Sequence, residues 1–449
     1  MQFQLTSDFI ENIAQLIAKK DGNALRDLLQ NFHFADIAEL LEELNTDQAT
    51  YLIQQLESDL TSEALMELDD DVREKILERL SPKEIAAELE ELDTDDAADI
   101  IAELDEKIKQ KVIDKIEDQE HAADIVELLN YDENTAGALM AKELVQVKET
   151  WTVAGCVREM RRQAENVTRV HSIYVTNKEG KLTGRLSLKD LLTAEAKTKI
   201  SDVFIPKVDY VTVHTENEEV ARIMQKYDLE AIPVVDDKGI LVGRITIDDI
   251  VDFIKDEAEK DYQMAAGISQ DVEADDSIMD LTKARLPWLV LGLLGGLGSV
   301  YIMRGFDEAL ATHVELFFFT PLIAAMAGNV GVQSSAIIVQ GLANDNVKGS
   351  LFKRLLKEVG LALINGLALG VLVILFGALT QMDQQVAFTI AISMLLVIIV
   401  AALVGTFVPI ILDKKGIDPA IATGPFITTS NDIFGIFLFF FIAKLLLNF

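Results

Sequence analysis

The chain has 449 residues, half of them hydrophobic, with 40 basic and 74 acidic side chains, a formal charge of −34 and a single cysteine, Cys156. One cysteine excludes a disulfide framework and a cysteine-based metal cluster, and a balance this acidic argues against nucleic acid and anionic lipid as partners and for cations or basic surfaces. At about 150 residues per domain the length suggests three domains, and the charge is unevenly placed: residues 1–286 hold 32 basic and 65 acidic residues, residues 287–449 only 8 and 9.

The first part therefore reads as a soluble acidic body and the second as a membrane domain. The opening residues, Met1 to Asp8, have no basic segment followed by an apolar core, so no secretory signal is expected and the soluble part should lie in the cytoplasm.

Residues 1–135 read as helices throughout. Apolar residues recur at helical spacing in Ile37, Leu40, Leu41 and Leu44, and again in Ile85, Leu89 and Leu92, with Asp and Glu on the other faces. The phrase beginning at Ile37 returns at Ile85, and that at Ala97 returns at Ala122. Short helices joined by polar turns suggest a stacked, solenoid-type helical repeat. Asp95, Asp96 and Asp99 form an acidic cluster that either binds a cation across a domain interface or complements a helix start.

From 136 to 256 strands and helices alternate, and the pattern repeats. The stretch His171–Leu191 lines up with Glu230–Ile250 at a constant offset of 59 residues, each copy having a strand, a turn at Gly180 or Gly239, a second strand and a helix. This resembles a tandem pair of α+β CBS domains, which are regulatory in most proteins that carry them and in some bind adenine nucleotides. The resemblance puts the CBS signature on Gly184, Ser187 and Asp190 and on Gly243, Thr246 and Asp249. Ser187, Asp190, Thr246 and Asp249 would then face the ribose and phosphates of ATP acting as a regulator; as bare residue types they also serve as helix caps. Residues 257–285 form a charged helical connector with a break at Gly267, suited to mechanical coupling.

The remainder, 286–449, contains five spans: Leu286–Met303, Leu316–Leu342, Leu355–Leu379, Val386–Leu412 and Ala420–Leu447, each meeting the ~20 residues a bilayer requires. Lys283, Arg285, Lys348, Lys353, Arg354, Lys357, Lys414 and Lys415 share one side, against Arg304 and Lys444 on the other. The positive-inside rule places the N-terminus in the cytoplasm and the C-terminus outside. Gly292 with Gly296, and Gly366 with Gly370, have the spacing of close helix packing. Asp432 lies inside the last span, where a carboxylate costs roughly 2.5–3.5 kcal/mol. A proton or a bound cation must offset that cost. Thr428 to Asn431, with Gly424 and Pro425 loosening the backbone, suggest one wall of a pathway, and Gly328, Asn329, Gly331 and Gln333 in span two a second wall.

Pro321, Gly328-Asn329-x-Gly331-x-Gln333, Asp418-Pro419-Ala420, Pro425-Phe426, Asp432 and Gly435, following a CBS pair and an acidic helical domain, resemble the MgtE family of magnesium channels along essentially the whole chain. The family pattern has an Arg shortly after the span-two motif, where this chain has Gln340. The resemblance implies a homodimer in the lipid membrane with its pore on the two-fold axis, and closure by cytoplasmic Mg²⁺. Pore ligands would be Asp432, Asp418, Thr428 and Asn329. The regulatory ligands would be Asp95, Asp96, Asp99, Asp248, Asp249, Asp252, Asp256, Glu257 and Glu259. Mg²⁺ keeps most of its water and takes one or two carboxylates, which suits a facing Asp432 pair.

Three other readings are a broader carrier of Mn²⁺ or Co²⁺, a non-conducting CBS-regulated receptor with Asp432 as protonated glue, and an intramembrane enzyme. The last lacks ligands: none of the five histidines falls inside a span, and neither His-Glu-x-x-His nor a nucleotide-binding Gly-x4-Gly-Lys-[Ser/Thr] occurs. The chain is expected not to be an enzyme.

Overall fold

The computed structural model describes residues 5–163, 169–270, 272, 274, 276–344, 347, 349–422 and 424–448. Lys348, counted above on the cytoplasmic side, lies outside them. The chain divides into two compact units, Met1–Ile254 and Lys255–Phe449.

The first unit begins with ten short helices, α1 (Ser7–Ala18) to α10 (Gln119–Leu128). Their ends follow from capping chemistry. Ser81 and Glu84 cap α7 (Pro82–Leu89) reciprocally, with Pro82 in the first turn where its missing N–H costs nothing. Alternate helices stack. α3 (Phe34–Glu42) packs on α5 (Ser58–Met66), α5 on α7, α7 on α9 (Glu106–Ile113), and α8 (Thr94–Glu103) on α10. This is the repeat that the recurring phrases at Ile37 and Ile85 encode, since they fall on α3 and α7.

One stacking contact buries a carboxylate. Glu88 of α7 accepts hydrogen bonds from Thr61 Oγ1 at 2.6 Å and Ser58 Oγ at 3.3 Å of α5. Burial nonetheless pushes its carboxyl up to about 7, against an ordinary 4.5. A carboxyl raised on folding gives stability that is fully present below about pH 4.5 and lost as pH rises through about 7, a change on the order of 3 kcal/mol. Glu88→Gln should therefore melt higher than the parent at pH 8 and lose that advantage at pH 5. Equal melting differences at the two pH values would refute the assignment.

Two three-stranded sheets follow. β1 (Val145–Lys148) pairs parallel with β2 (Ile173–Thr176), which pairs antiparallel with β3 (Leu182–Leu186); β4 (Val211–Thr212), β5 (Ala231–Val235) and β6 (Leu241–Thr246) repeat the arrangement. The repeat extends to fine detail. Both antiparallel pairs carry a register shift, at Val175/Thr176 and at Val234/Val235, and both turns use a glycine in the left-handed region, Gly180 (φ 85°) and Gly239 (φ 79°). The two turns bond each other reciprocally, Leu182 N to Gly239 O at 3.1 Å and Leu241 N to Gly180 O at 3.2 Å, so the copies are related by a local two-fold. Their cores differ. The first copy packs around Val147, Cys156, Ile173 and Val175, whereas the second shares one continuous core with the helical stack, from Ile13 through Ile125 to Val234 and Ile250.

The connector breaks at Gly267, where the sequence suggests. α14 (Ile247–Ala266) starts within the second CBS copy and ends where Gly267 adopts φ 81°; the next helix begins at Ile278.

Among the described residues of the second unit, five helices are long and apolar enough to cross a membrane: α15 (Ile278–Arg304), α17 (Glu315–Ala343), α18 (Leu351–Leu379), α19 (Gln384–Asp413) and α20 (Gly424–Leu447). α19 is central, with α17, α18 and α20 against it, and α20 also packs on α15 and α17. Glycine permits the closest approaches. A Cβ on Gly405 of α19 would stand 2.3 Å from the Gly331 carbonyl oxygen, and one on Gly366 of α18 2.5 Å from Leu395 Cδ1. Gly366 and Gly370 thus seat α18 on α19, as their spacing suggested. Gly292 and Gly296 meet nothing within 4 Å; the close-packing glycine of α15 is Gly295, where a Cβ would lie 2.0 Å from Thr429 Cγ2 of α20.

The start of the last span also differs from expectation. Pro419–Ala422 form a separate 3-10 turn, and Gly424 turns the chain into α20 with φ 47°. Pro425 then sits in the first helical turn, so Gly424 and Pro425 initiate the helix instead of loosening its interior.

Candidate cation sites in the membrane unit and at the acidic junction

Asp432 lies just over two turns into α20, with Thr428 one turn before it on the same face. Its side chain points toward Gly328 of α17, where a Cβ would be 3.6 Å from Asp432 Oδ1 and 3.1 Å from Thr428 Cγ2. The absence of a side chain at position 328 is what leaves room beside the carboxylate. Oδ1 is enclosed and has no hydrogen-bond partner, and no ion pair involves Asp432 among the described residues. The neighbouring Asn431 is 1% exposed, also without partners, and packs at Gly331.

The other pore candidates behave differently. Thr428 Oγ1 donates to the Gly424 carbonyl at 2.9 Å, so its hydroxyl is committed to the helix. Asp418 lies outside α20, exposed, and caps the short turn by accepting from Ala420 N at 2.7 Å. Asn329 is the middle residue of α17 and is exposed, on a ridge with Pro321, Ala325, Gln333 and Ile337, all exposed and spaced by four. An amide at mid-span facing acyl chains is unfavourable; this ridge needs water or a second protein surface over it. Gln340 is exposed near the end of the same helix, its carbonyl accepting from Asn344.

A second carboxylate site lies in the first unit, where α8 meets the second CBS copy. Oxygens of Asp93, Asp95 and Glu143 lie within 4.8 Å of one another. Glu143 is fixed by the start of α8, accepting from Thr94 N at 3.1 Å and Thr94 Oγ1 at 2.9 Å. Arg244, buried on β6, donates to Asp93 Oδ2 at 2.9 Å and to the Glu143 carbonyl. Among the described residues Arg244 is the one Lys or Arg bonded to these acids, and His121 Nδ1 lies 3.9 Å from Glu143 Oε1. Burial, followed by Asp96, Asp249, Asp93 and Glu143, pushes the Asp95 carboxyl well up; burial, with Asp249, Asp99 and Asp93, pushes Asp96 up to about 8. Carboxyls pushed up in this way resist carrying their full negative charge, a cost that a bound cation would offset, and the all-oxygen donors suit a hard divalent ion.

Asp95, Asp96 and Asp249 of the expected set therefore come together, with Asp99 exposed at the edge and Asp248 beside Asp249. Asp252, Asp256, Glu257 and Glu259 lie further along α14, all but Glu257 exposed. Asp93, Glu143 and Arg244 were not legible in the sequence. Asp93 stood beside the acidic run, but nothing local to Glu143 or Arg244 signals a site formed by a distant helix start.

The two CBS signatures are used differently. Thr246 donates through N (2.8 Å) and Oγ1 (2.6 Å) to Asp249 Oδ2, which closes that pair on itself at the start of α14. Ser187, preceding α12 (Leu188–Thr193), makes no capping hydrogen bond, and Asp190 is half-buried beside it. The hydroxyl and carboxylate of the first copy fit a ribose or phosphate contact better than those of the second.

An apolar helix bundle with a half-buried carboxylate inside it, joined through a CBS pair to an acidic helical stack, is the architecture of a cation transporter. Residues 320–442 match the family model MgtE, described as a divalent cation transporter; 32–134 match the MgtE intracellular N domain, and 136–197 and 200–256 the CBS domain. The chain is 36% identical over 317 residues to the magnesium transporter MgtE of Bacillus subtilis, covering 70% of each chain. It is 35% identical over 325 residues to that of Thermus thermophilus, covering 72% of each. A crystal structure of the cytosolic domain of the Mg²⁺ channel MgtE in complex with ATP superposes with a TM-score of 0.52 at 35% identity, covering 54% of this chain and 99% of that one. The soluble part of a magnesium transporter gives 0.51 at 29% identity, covering 56% and 98%. The chain belongs to the MgtE family, whose members are transporters and not enzymes.

Proposed function

We propose that the chain forms a homodimeric, Mg²⁺-selective channel for magnesium uptake, closed when cytoplasmic Mg²⁺ binds the acidic soluble domains. The observation that carries this reading is the half-buried Asp432 carboxylate, its Oδ1 enclosed without a hydrogen-bond partner, with no ion pair among the described residues, and set against the side-chain-free wall at Gly328. A two-fold axis along the exposed Asn329 ridge doubles that carboxylate, and two carboxylates match the charge of one divalent ion. The names of the relatives point to Mg²⁺. So does chemistry, because a sparse carboxylate pair with water suits Mg²⁺ and leaves Ca²⁺ short of the six to eight oxygens it prefers. Purified chain in liposomes should admit Mg²⁺ well above Ca²⁺, with Mn²⁺ and Co²⁺ compared alongside; vesicles that stay impermeable to all four would overturn the proposal.

The bundle is oriented with the N-terminus in the cytoplasm and the C-terminus outside, as the Lys and Arg distribution directs. In a Cys156→Ser background, a cysteine at Asn448 reacts with impermeant thiol reagents from outside and one at Lys414 does not. The opposite labelling refutes this topology.

ATP acts as a regulator through the CBS pair, with Ser187 and Asp190 as the principal contacts and Thr246 and Asp249 contributing only if their mutual hydrogen bonds open. The ATP-bound relative supports this reading. Millimolar ATP should raise the melting temperature of the full chain, and Asp190→Ala should remove the shift; ligand at about 100 times its Kd stabilises by about 2.7 kcal/mol. If Asp249→Ala removes the shift and Asp190→Ala does not, the second copy is the site.

A further inference from the structure

Between the end of α14 and the start of α15 lies a cavity of about 560 Å³, the size of a small-molecule site. One stripe of α14 lines it with Lys255, Glu259 and Tyr262, spaced four and three residues apart. Leu281 and Arg285, one turn apart on α15, face them, and Ile268 from the intervening segment adds to a mainly apolar wall. None of Lys255, Glu259 and Arg285 takes part in an ion pair among the described residues. The position is also particular. The apolar run of α15 begins at Leu286, directly after Arg285; Tyr262 is 77% exposed and Trp288 follows Arg285 by three residues, the aromatic types that mark a membrane surface.

We propose that this cavity binds the headgroup of an aminophospholipid of the surrounding membrane. Two cations and one carboxylate around an apolar hollow match a phosphodiester linked to a primary ammonium. Lys255 and Arg285 take the phosphate, with Arg supplying a planar fork of donors. Glu259 accepts from the ammonium, while Leu281 and Ile268 meet the first methylenes of an acyl chain. A phosphatidylglycerol offers Glu259 only uncharged hydroxyls in place of an ammonium, and a choline headgroup has no N–H to offer it. Occupancy bears on the pore helix because the end of α14 touches the start of α20: a Cβ on Gly424 would lie 2.1 Å from the Ala265 carbonyl oxygen, and one on Gly267 2.4 Å from Pro425 Cγ.

Short-chain dioctanoyl phosphatidylethanolamine, phosphatidylcholine and phosphatidylglycerol are titrated against the full-length protein in detergent with chelator present, reading binding by thermal shift. This readout is independent of conduction. The ethanolamine lipid should bind about fivefold more tightly than the other two, and Lys255→Ala with Arg285→Ala should weaken it about tenfold, a 1.4 kcal/mol change. Glu259→Gln should abolish the preference for ethanolamine over glycerol. Leu281→Trp, which fills the hollow without changing charge, should weaken binding as well and carries the test if the double variant does not fold. Equal binding of all three lipids, or binding unchanged in Leu281→Trp, means non-specific annular lipid and overturns the proposal. Disulfide pairing of two copies through a cysteine at position 262 in the Cys156→Ser background overturns it too, since a second chain would then occupy the cavity.

Discussion

Asp432→Ala should reduce Mg²⁺ flux in proteoliposomes to that of protein-free vesicles, and Asp432→Asn should do the same. The ion gives up part of its hydration to enter, and Mg²⁺ releases water reluctantly, so the loss must be offset by charge at the narrowest polar point. Among the described residues of α20 only Asp432 carries negative charge, and an amide of the same shape cannot replace it. Misfolding is not the cause of such a loss. Removing a carboxylate without an internal partner relieves an insertion cost of roughly 2.5–3.5 kcal/mol, so both variants should be at least as stable as the parent. α20 is seated by other contacts, Thr429 at Gly295, Asn431 at Gly331 and Gly435 against Ala327, and these survive the substitution. Flux, melting temperature and dimer elution measured on one preparation separate the roles. If Asp432 were protonated glue between helices, Asp432→Asn would keep that hydrogen bonding and leave transport intact.

The membrane helices and the CBS pair were legible because each rests on a pattern local to the chain. Apolar runs of sufficient length give the spans, and the 59-residue offset carries through to the matched turns at Gly180 and Gly239 and the matched register shifts. Asp432 was legible because a carboxylate in an apolar run needs a partner wherever the helix packs. What depended on which helix faces which was not. Gly292 and Gly296 have the spacing of a packing motif but face open space, while Gly295 makes the contact. Span three likewise hid Glu358, which is 9% exposed and bonded by Ser334 Oγ of α17 at 3.3 Å. At the acidic junction, Asp95 and Asp96 were visible as a cluster, but Glu143 and Arg244 reach it only because α8 docks on the second CBS copy.

Millimolar Mg²⁺ on the cytoplasmic side should compact the soluble domains, protect residues 257–285 from protease and close the pore, and chelation should reverse all three. The starting point is repulsion. Each pair of like charges at 4 Å costs about 1 kcal/mol in water and more beside protein, where the effective dielectric is lower. The junction holds Asp93, Asp95 and Glu143 within 4.8 Å, with Asp96 and Asp249 close enough to disturb them, and Arg244 is the cation bonded to it. Moving a two-state gate from mostly open to mostly closed requires about 5.5 kcal/mol, which a handful of relieved pairs supplies. Neutralising Asp95, Asp96 and Asp249 together should therefore mimic the ion, lowering open probability and the Mg²⁺ dependence of proteolysis. Deleting residues 1–135 should weaken the inhibition, because the α8 half of the junction goes with them. Arg244→Ala acts in the opposite sense to the neutralising variants: it removes the resident cation, raises repulsion and should increase the Mg²⁺ needed for closure. An acidic surface that serves only solubility predicts equal proteolysis of Mg²⁺-loaded and chelated protein, and general screening predicts that monovalent salt substitutes for Mg²⁺. Comparing the two forms at matched ionic strength therefore tests the site itself, since screening depends on ionic strength and coordination depends on the ion.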